Sequence, residues 1–390
     1  MQMNGKMLKV LAVGVAALAV KVGWFEQFRS RPDEVLEARN RPDVLARRAY
    51  LLDRLRGDFQ SQAVTPGSNM IRGEWALGTL SMTAAALCNI GFALPDTRAD
   101  SLEHLPGLIT RAMTPPIREF DRISWGEDPL ASLEGPHGHV GYLGHLNLMI
   151  GAYRILGGDG RFNALHSRIT GALARRMDAS LSAHIATYPG QVFTADNAVG
   201  AASIAVYDRV TGEDHRRTLR RWIDYTRAHL LDPSTGLVVF NVDGSGGPAG
   251  GARGCAAGWS SFYLPMVDEE FAREQFGAIK RHMVQRTFFG TVGIREYPPG
   301  EQGPGDVDSG PVLFGLSPSG TGFAIAGAKM WGDAELLGQL LNTAELAGFS
   351  VQVRGERRYL TAPLVGDAIL LAMVTACSWD TRYVRGAEQP

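Results

Sequence analysis

Apolar residues recur at three-and-four spacing along most of the chain, as at Leu146, Met149, Ile150, Tyr153 and Leu156. That spacing predicts helices with one face turned inward. Two-residue alternation is sparse, and only 292–296 and 351–362 read as short strands. One unit repeats: an apolar helix, a break rich in Gly and acidic residues, and a second, amphipathic helix. The breaks fall near Asp96, Asp159, Glu213, Asp268 and Asp333, 54 to 65 residues apart. Each glycine suits a helix C-cap and each following acid a helix start. A helical hairpin cannot bury its face alone, so the copies must stack. Five copies, closed by a C-terminal helix pair around 336–379, predict an all-α fold, an (α/α)6 barrel of helical hairpins. Long loops at 122–144, 186–200, 242–260 and 291–322 would gather at one mouth. Loops of that length in a compact domain tend to carry function.

The N-terminus breaks this rhythm. Lys6 and Lys9 precede an uninterrupted apolar run, VLAVGVAALAV (10–20), which ends in Ala17-Leu18-Ala19 before Lys21. A basic start, a short apolar stretch and a small-x-small site predict a secretory signal peptide over 1–24. An uncleaved N-terminal anchor in the inner membrane is the rival reading. The run is shorter than the roughly 20 residues of a membrane span. Residues 25–390 then form one domain, periplasmic or secreted.

Composition narrows the chemistry. Apolar residues make up 45% and charged residues 20%, ample for a core. Net charge is -1 and no Lys/Arg stripe exists, which argues against nucleic acid as a partner. Forty-seven glycines imply tight turns or close backbone packing. Cys88, Cys255 and Cys377 stand alone, without zinc-ligand spacing, and read as small buried residues or one unassigned disulfide.

The loops hold the candidate chemistry. The first carries Trp125, Glu127, Asp128, His137, His139, Tyr142 and His145. His145 opens an apolar helix and is by type the best general acid/base; the bland alternative is a helix-end histidine bonded to a carbonyl. His137-x-His139 with Asp128 lacks an evident fourth ligand, so no metal is assigned. The second loop carries Thr187, Tyr188, Phe193 and Asp196. Asp196 either caps the helix that follows or, if buried at the mouth, has a raised pKa fit for proton transfer. The third is glycine-rich without the phosphate-binding pattern, and Trp259, Phe262 and Tyr263 line a pocket or pack the core. In the fourth, GPGDVDSGP offers Asp306 and Asp308 as half a calcium loop or as plain helix capping.

Three stretches carry a resemblance: GHLNLMIGAYRILGGDGRF (144–162), TYPGQVFTADNAVGAASIAVYDRVTGEDHR (187–216) and RWIDYTRAHLLDPSTG (221–236). Together they resemble the bacterial linalool dehydratase/isomerase family, weakly from about Ala49 onward and best over 125–240. The resemblance implies an (α/α)6 barrel, a secretory leader and a ring-shaped homo-oligomer. It also implies an active site between subunits that needs no cofactor and acts on a small hydrophobic alcohol. His145 falls on the family's catalytic histidine, and Phe193 on an aromatic of the substrate cavity. Thr187 and Asp196 stand where the family carries two active-site cysteines, and Tyr188 where it carries a glutamate. Asp53 and Asp58 are candidates for residues lent by a neighbouring subunit.

The expected function is therefore that of a cofactor-free hydro-lyase or isomerase on a small, largely apolar alcohol or alkene. Catalytic roles go to His145, Asp196 and Tyr188. Substrate contacts go to Trp125, Asp128, Tyr142, Thr187, Phe193, Trp259 and Phe262. A glycosidase or polysaccharide lyase is the rival enzyme, with Asp196 paired to Asp128 or Asp308 across the bond. A non-catalytic binding or assembly protein on the same fold is the rival outside enzymes.

Overall fold

Each recurring break in the pattern separates two helices, and in three places its acid does the capping. Asp159, Asp268 and Asp333 accept the backbone N–H of Arg161, Phe271 and Leu336 respectively, tying down amides that a helix start leaves unpaired. The computed structural model describes residues 23, 25–57, 69–288 and 290–379. The apolar leader run and Asp58 lie outside them.

The described chain is mostly helical: α1 (Pro32–Leu36), α2 (Arg41–Arg54), α3 (Asn69–Ala93), α4 (Arg98–Ala112), α5 (Pro115–Trp125), α6 (Val140–Ile155) and α7 (Asn163–Ala179), then α8 (Thr194–Thr211), α9 (Arg216–His229), α10 (Gly254–Val267), α11 (Glu269–Ala278), α12 (Pro318–Met330), α13 (Ala334–Gly348) and α14 (Leu364–Thr375). Three two-stranded antiparallel ribbons interrupt them. They pair β1 (Val192–Phe193) with β2 (Asn241–Val242), β3 (Val284–Arg286) with β4 (Val292–Ile294), and β5 (Ser350–Val353) with β6 (Glu356–Tyr359).

Among the described residues, α3, α6, α8, α10, α12 and α14 pack each on the next, and α14 packs back on α3. These are the apolar members of the hairpins, buried on nearly every face. Their amphipathic partners α4, α7, α9, α11 and α13 lie outside them. The sixth partner differs from the expectation. The C-terminal segment supplies only α14, because α13 already belongs to the fifth hairpin; the outer helix against α14 is α2, from the other end of the chain. Periodicity could not reveal this pairing, since it joins segments some 300 residues apart. Buried charge ties α2 to the neighbouring α13 and β6. Arg47 of α2 donates to Glu345 of α13 at 2.9 Å, and Arg357 of β6 donates to the same Glu345 oxygen at 2.8 Å.

Glycines let the inner helices touch backbone to backbone. A Cβ on Gly144 (α6) would meet Gly200 N (α8) at 3.1 Å, and one on Gly258 (α10) would meet Gly320 O (α12) at 2.7 Å. By length and apolarity Ile71–Ala93 could cross a membrane. It is instead an inner helix, 83% of its apolar window buried in the fold. The three cysteines are free thiols.

Candidate active site

Because the inner helices run in one chain direction, their N-terminal halves and the long connections meet at one end. Asp196 stands in the first turn of α8, at its third residue, with Phe193 at the N-cap. It is not the cap. Its carboxylate accepts the Thr187 hydroxyl at 2.7 Å. It also lies against α6: a Cβ on Gly141, one turn before His145, would sit 3.7 Å from Asp196 Oδ2. Burial raises the Asp196 pKa to about 6, opposed by the Thr187 hydrogen bond.

Two further carboxyl groups face Asp196. Glu74 lies one turn into α3, and burial, then the charges of Asp308 and Asp196, raise its pKa to about 8. Asp308 lies in the loop before α12, and burial, then the charges of Asp306 and Asp196, raise it to about 7. Asp308 is the most open of the three to solvent. The three carboxyls are coupled, so their protons belong to the cluster as a whole, with Asp196 the most acidic and Glu74 the least. Near neutrality the cluster contains an ionised and a protonated carboxyl side by side. Tyr188 stands next to Glu74. Burial and the charges of Glu74 and Asp196 push its phenol well up. Its buried hydroxyl interacts with the Glu74 carboxyl, which further holds the phenol proton.

His145 forms the dry side of the site. Its Nδ1 lies 2.7 Å from Ser81 Oγ on α3, and its ring meets the Trp259 indole edge to face, centroids 5.5 Å apart. Burial lowers its pKa to about 4, so the imidazole is neutral at pH 7. No hydrogen bond joins it to Asp196 among the described residues; each is held by its own hydroxyl. Trp259 in turn packs on Tyr263 and Phe323, and its indole N–H is buried without an acceptor. Tyr263 is fully buried, and its pKa is raised by burial and by the Asp196 charge.

Several expected substrate contacts fall elsewhere. Tyr142 is fully buried and donates to the Ala112 carbonyl, so it braces α6 against α4. Phe262 is core, edge-on to Tyr263, with no surface left. Asp128 faces away: it pairs with Arg118 at 2.9 Å and accepts the Leu130 N–H. Asp128 is thus removed as partner to Asp196 in a glycosidase arrangement and as a metal ligand. Trp125 supports the wall, donating its indole N–H to the Thr187 carbonyl at 3.1 Å. Phe193 packs on Phe240, whose other neighbour is the Arg253 guanidinium. Asp53, the described candidate for a subunit-lent residue, sits near the end of α2. The Asp306 loop is an ordinary turn, its carboxylate accepting the N–H groups of Asp308 and Ser309.

Glu74, Ser81 and the cluster role of Asp308 were not legible beforehand. Glu74 left one trace in the sequence: an acid inside the longest apolar helix, where an unpaired charge is costly.

The molecule thus falls in the class of mostly helical proteins with a carboxyl-rich, largely apolar site at the ends of inner helices. Residues 158–362, just over half of the chain, match the family model described as linalool dehydratase/isomerase. The chain belongs to that family. Among solved structures, a similar chain is that titled "Structural Analysis of C. acetobutylicum ATCC 824 Glycoside Hydrolase From Family 105", at 13% identity and TM-score 0.37, covering 68% of this chain and 93% of that one.

Proposed function

We propose that this chain is an (α/α)6-barrel lyase or isomerase that adds or removes water, or shifts a double bond, on a small and largely apolar alcohol or alkene. The observation that carries this reading is the gathering of Asp196, Glu74 and Asp308 at the ends of the inner helices, with Asp196 held by the Thr187 hydroxyl at 2.7 Å and surroundings that raise the pKa of all three. Dehydration needs an acid for the leaving hydroxyl and a base for a carbon-bound proton in the same site. Neighbouring groups whose environments push their pKa values apart supply such a pair.

Glu74 protonates the departing hydroxyl, the C–O bond breaks, and water leaves. Trp259 and Phe193 offer aromatic surface to the positive charge developing on carbon. Asp196, held by Thr187, then takes the proton from the adjacent carbon and the double bond forms. Asp308, between the two in acidity and open to water, returns that proton toward Glu74. Tyr188, beside Glu74, orients the hydroxyl. His145, neutral and fixed by Ser81, positions the substrate rather than exchanging a full proton. Hydration is the same path reversed.

The reading extends to export by the 1–24 leader and to a homo-oligomer whose subunit interface lies near the site. Intact mass of protein from the host envelope is expected to lack about the first 19 residues, as the small-x-small rule places the cut.

The chemical test is a panel of small allylic and tertiary alcohols incubated in 18O-labelled water, read by mass spectrometry. Label exchange into recovered alcohol, or alkene release, is expected with the wild type and not with Asp196→Asn. Release of reducing sugar from oligosaccharides, with no exchange into any apolar alcohol, would replace this reading with a glycosidase.

A further inference from the structure

On the far side of Trp125 from Thr187 lies a second cluster that the proposed chemistry does not use. Glu127 follows α5, and His137 and His139 precede α6. One oxygen of Glu127, Oε1, lies 2.8 Å from His137 Nδ1 and 3.1 Å from His139 Nε2. The three candidate donor atoms lie within 4.8 Å of one another. Ligands about 2.0–2.1 Å from a tetrahedral zinc ion are spaced about 3.3 Å apart, so a small relaxation accommodates one ion.

His139 is held from behind. Its Nδ1 lies 2.6 Å from Oδ2 of Asp121, and both side chains are fully buried. An ionised carboxylate there accepts the Nδ1–H hydrogen bond and leaves a lone pair on Nε2. That lone pair points at Glu127 Oε1, itself an acceptor. Ser132 does not resolve the clash, because its hydroxyl donates to the Asp128 carbonyl at 2.9 Å. With Asp121 ionised, a cation between the groups satisfies both acceptors. The surroundings fit a cation. The Trp125 indole stacks on His137 and tilts over His139, centroids 5.0 and 4.9 Å away, which fixes both ring planes. His139 also has φ 50°, a left-handed conformation uncommon for a residue with a side chain. The Arg176 guanidinium holds the loop's shape through the carbonyls of Ser132, Gly135 and Gly138.

We propose that Glu127, His137 and His139 form a divalent transition-metal site, with Asp121 orienting His139 from behind. Two imidazoles and one carboxylate, with a position left for water, suit zinc, cobalt or nickel rather than calcium or magnesium. The ion locks the loop between α5 and α6. Through the Trp125 bond to the Thr187 carbonyl it steadies the wall that carries Asp196. It is a structural site beside the acid/base cluster, and it stands whether or not the proposed reaction is correct.

The test uses the full chain, stripped with a chelator, dialysed, and titrated with Zn2+ by calorimetry and with Co2+ by visible absorption. Expected are one ion per chain, proton release on binding, and a higher melting temperature with zinc. His137→Ala, at a half-exposed side chain, and Glu127→Gln are each expected to abolish uptake while circular dichroism shows the helical fold intact. Asp121→Asn is expected to weaken binding by about 10–100-fold, the usual effect of losing a ligand's supporting carboxylate. Failure of the wild type to bind either ion would overturn the proposal. Stoichiometric uptake unchanged in both His137→Ala and Glu127→Gln would overturn it equally.

Discussion

Two carboxylate clusters of the fold are treated in opposite ways. Where the chain ends meet, Asp43 and Glu345 face two guanidinium groups. Glu345 accepts from Arg47, Arg357 and the Tyr359 hydroxyl at 2.9, 2.8 and 2.7 Å, and Asp43 accepts from the same two arginines at 2.9 and 2.7 Å. Burial works against the Arg47 charge, but Asp43, Tyr359 and Glu345 outweigh it and raise its pKa. At the ends of α3 and α8, no arginine among the described residues pairs with Glu74 or Asp196. Asp196 is held by one hydroxyl, and the acids meet one another instead. A matched cluster fixes its charges and ties elements together, while an unmatched one shares protons and is open to chemistry.

That contrast can be broken by substitution. The largest effect is expected from Asp196→Asn and Glu74→Gln, each lowering turnover by on the order of a hundredfold or more, as loss of a general acid or base does. Neither should lower the melting temperature. The double variant should lose little beyond either single one, because the pair acts as a unit. Glu345→Gln should do the reverse. It leaves two buried guanidiniums short of charge, costing about 3–5 kcal/mol in denaturant midpoint analysis, with turnover per folded molecule unchanged.

A smaller signature lies in pH. The folded pKa values of Asp196, Asp308 and Glu74 are raised above their ordinary values near 4. The folded chain therefore holds more protons than the unfolded one between about pH 4 and 8. Their contribution is fully present below that window and is lost as pH rises through it. Melting temperature followed from pH 5 to 9 should fall less in Glu74→Gln than in the wild type. Turnover should rise as Asp196 ionises near 6 and fall as Glu74 loses its proton near 8. The smallest effect is expected from His145→Gln, about tenfold in turnover, the size of one lost hydrogen bond; a loss equal to that of Asp196→Asn would return His145 to the proton path.

Much of this was legible in the chain, for physical reasons. The hairpin breaks at Asp159, Asp268 and Asp333 could be read because capping is local, decided within three residues of sequence. The strands at 292–294 and 350–359 followed from alternation for the same reason. The α2–α14 closure and the Arg47–Glu345–Arg357 network could not be read, since they depend on partners far apart in sequence. Asp196 was visible through its place before an apolar helix. Its partner was assigned to His145 by residue type; the proposal gives that role to Glu74 on α3 instead, because burial keeps the imidazole neutral. Tyr142 and Phe262 show the matching limit: an aromatic near a loop reads alike whether it faces substrate or core.

The central claim is that protonated and ionised carboxyls coexist in the site near neutral pH, and carboxyl titration by infrared spectroscopy tests it without any substrate. Asp367, raised by burial to about 7, and Asp121, also raised, contribute the same background to every variant. Wild type minus Asp196→Asn should include a carboxyl losing its proton near pH 6, and wild type minus Glu74→Gln one losing it near pH 8. In Asp196→Asn the Glu74 transition should also move down, because the charge that held its proton is gone. Difference spectra in which both groups are already ionised below pH 5 would contradict the account.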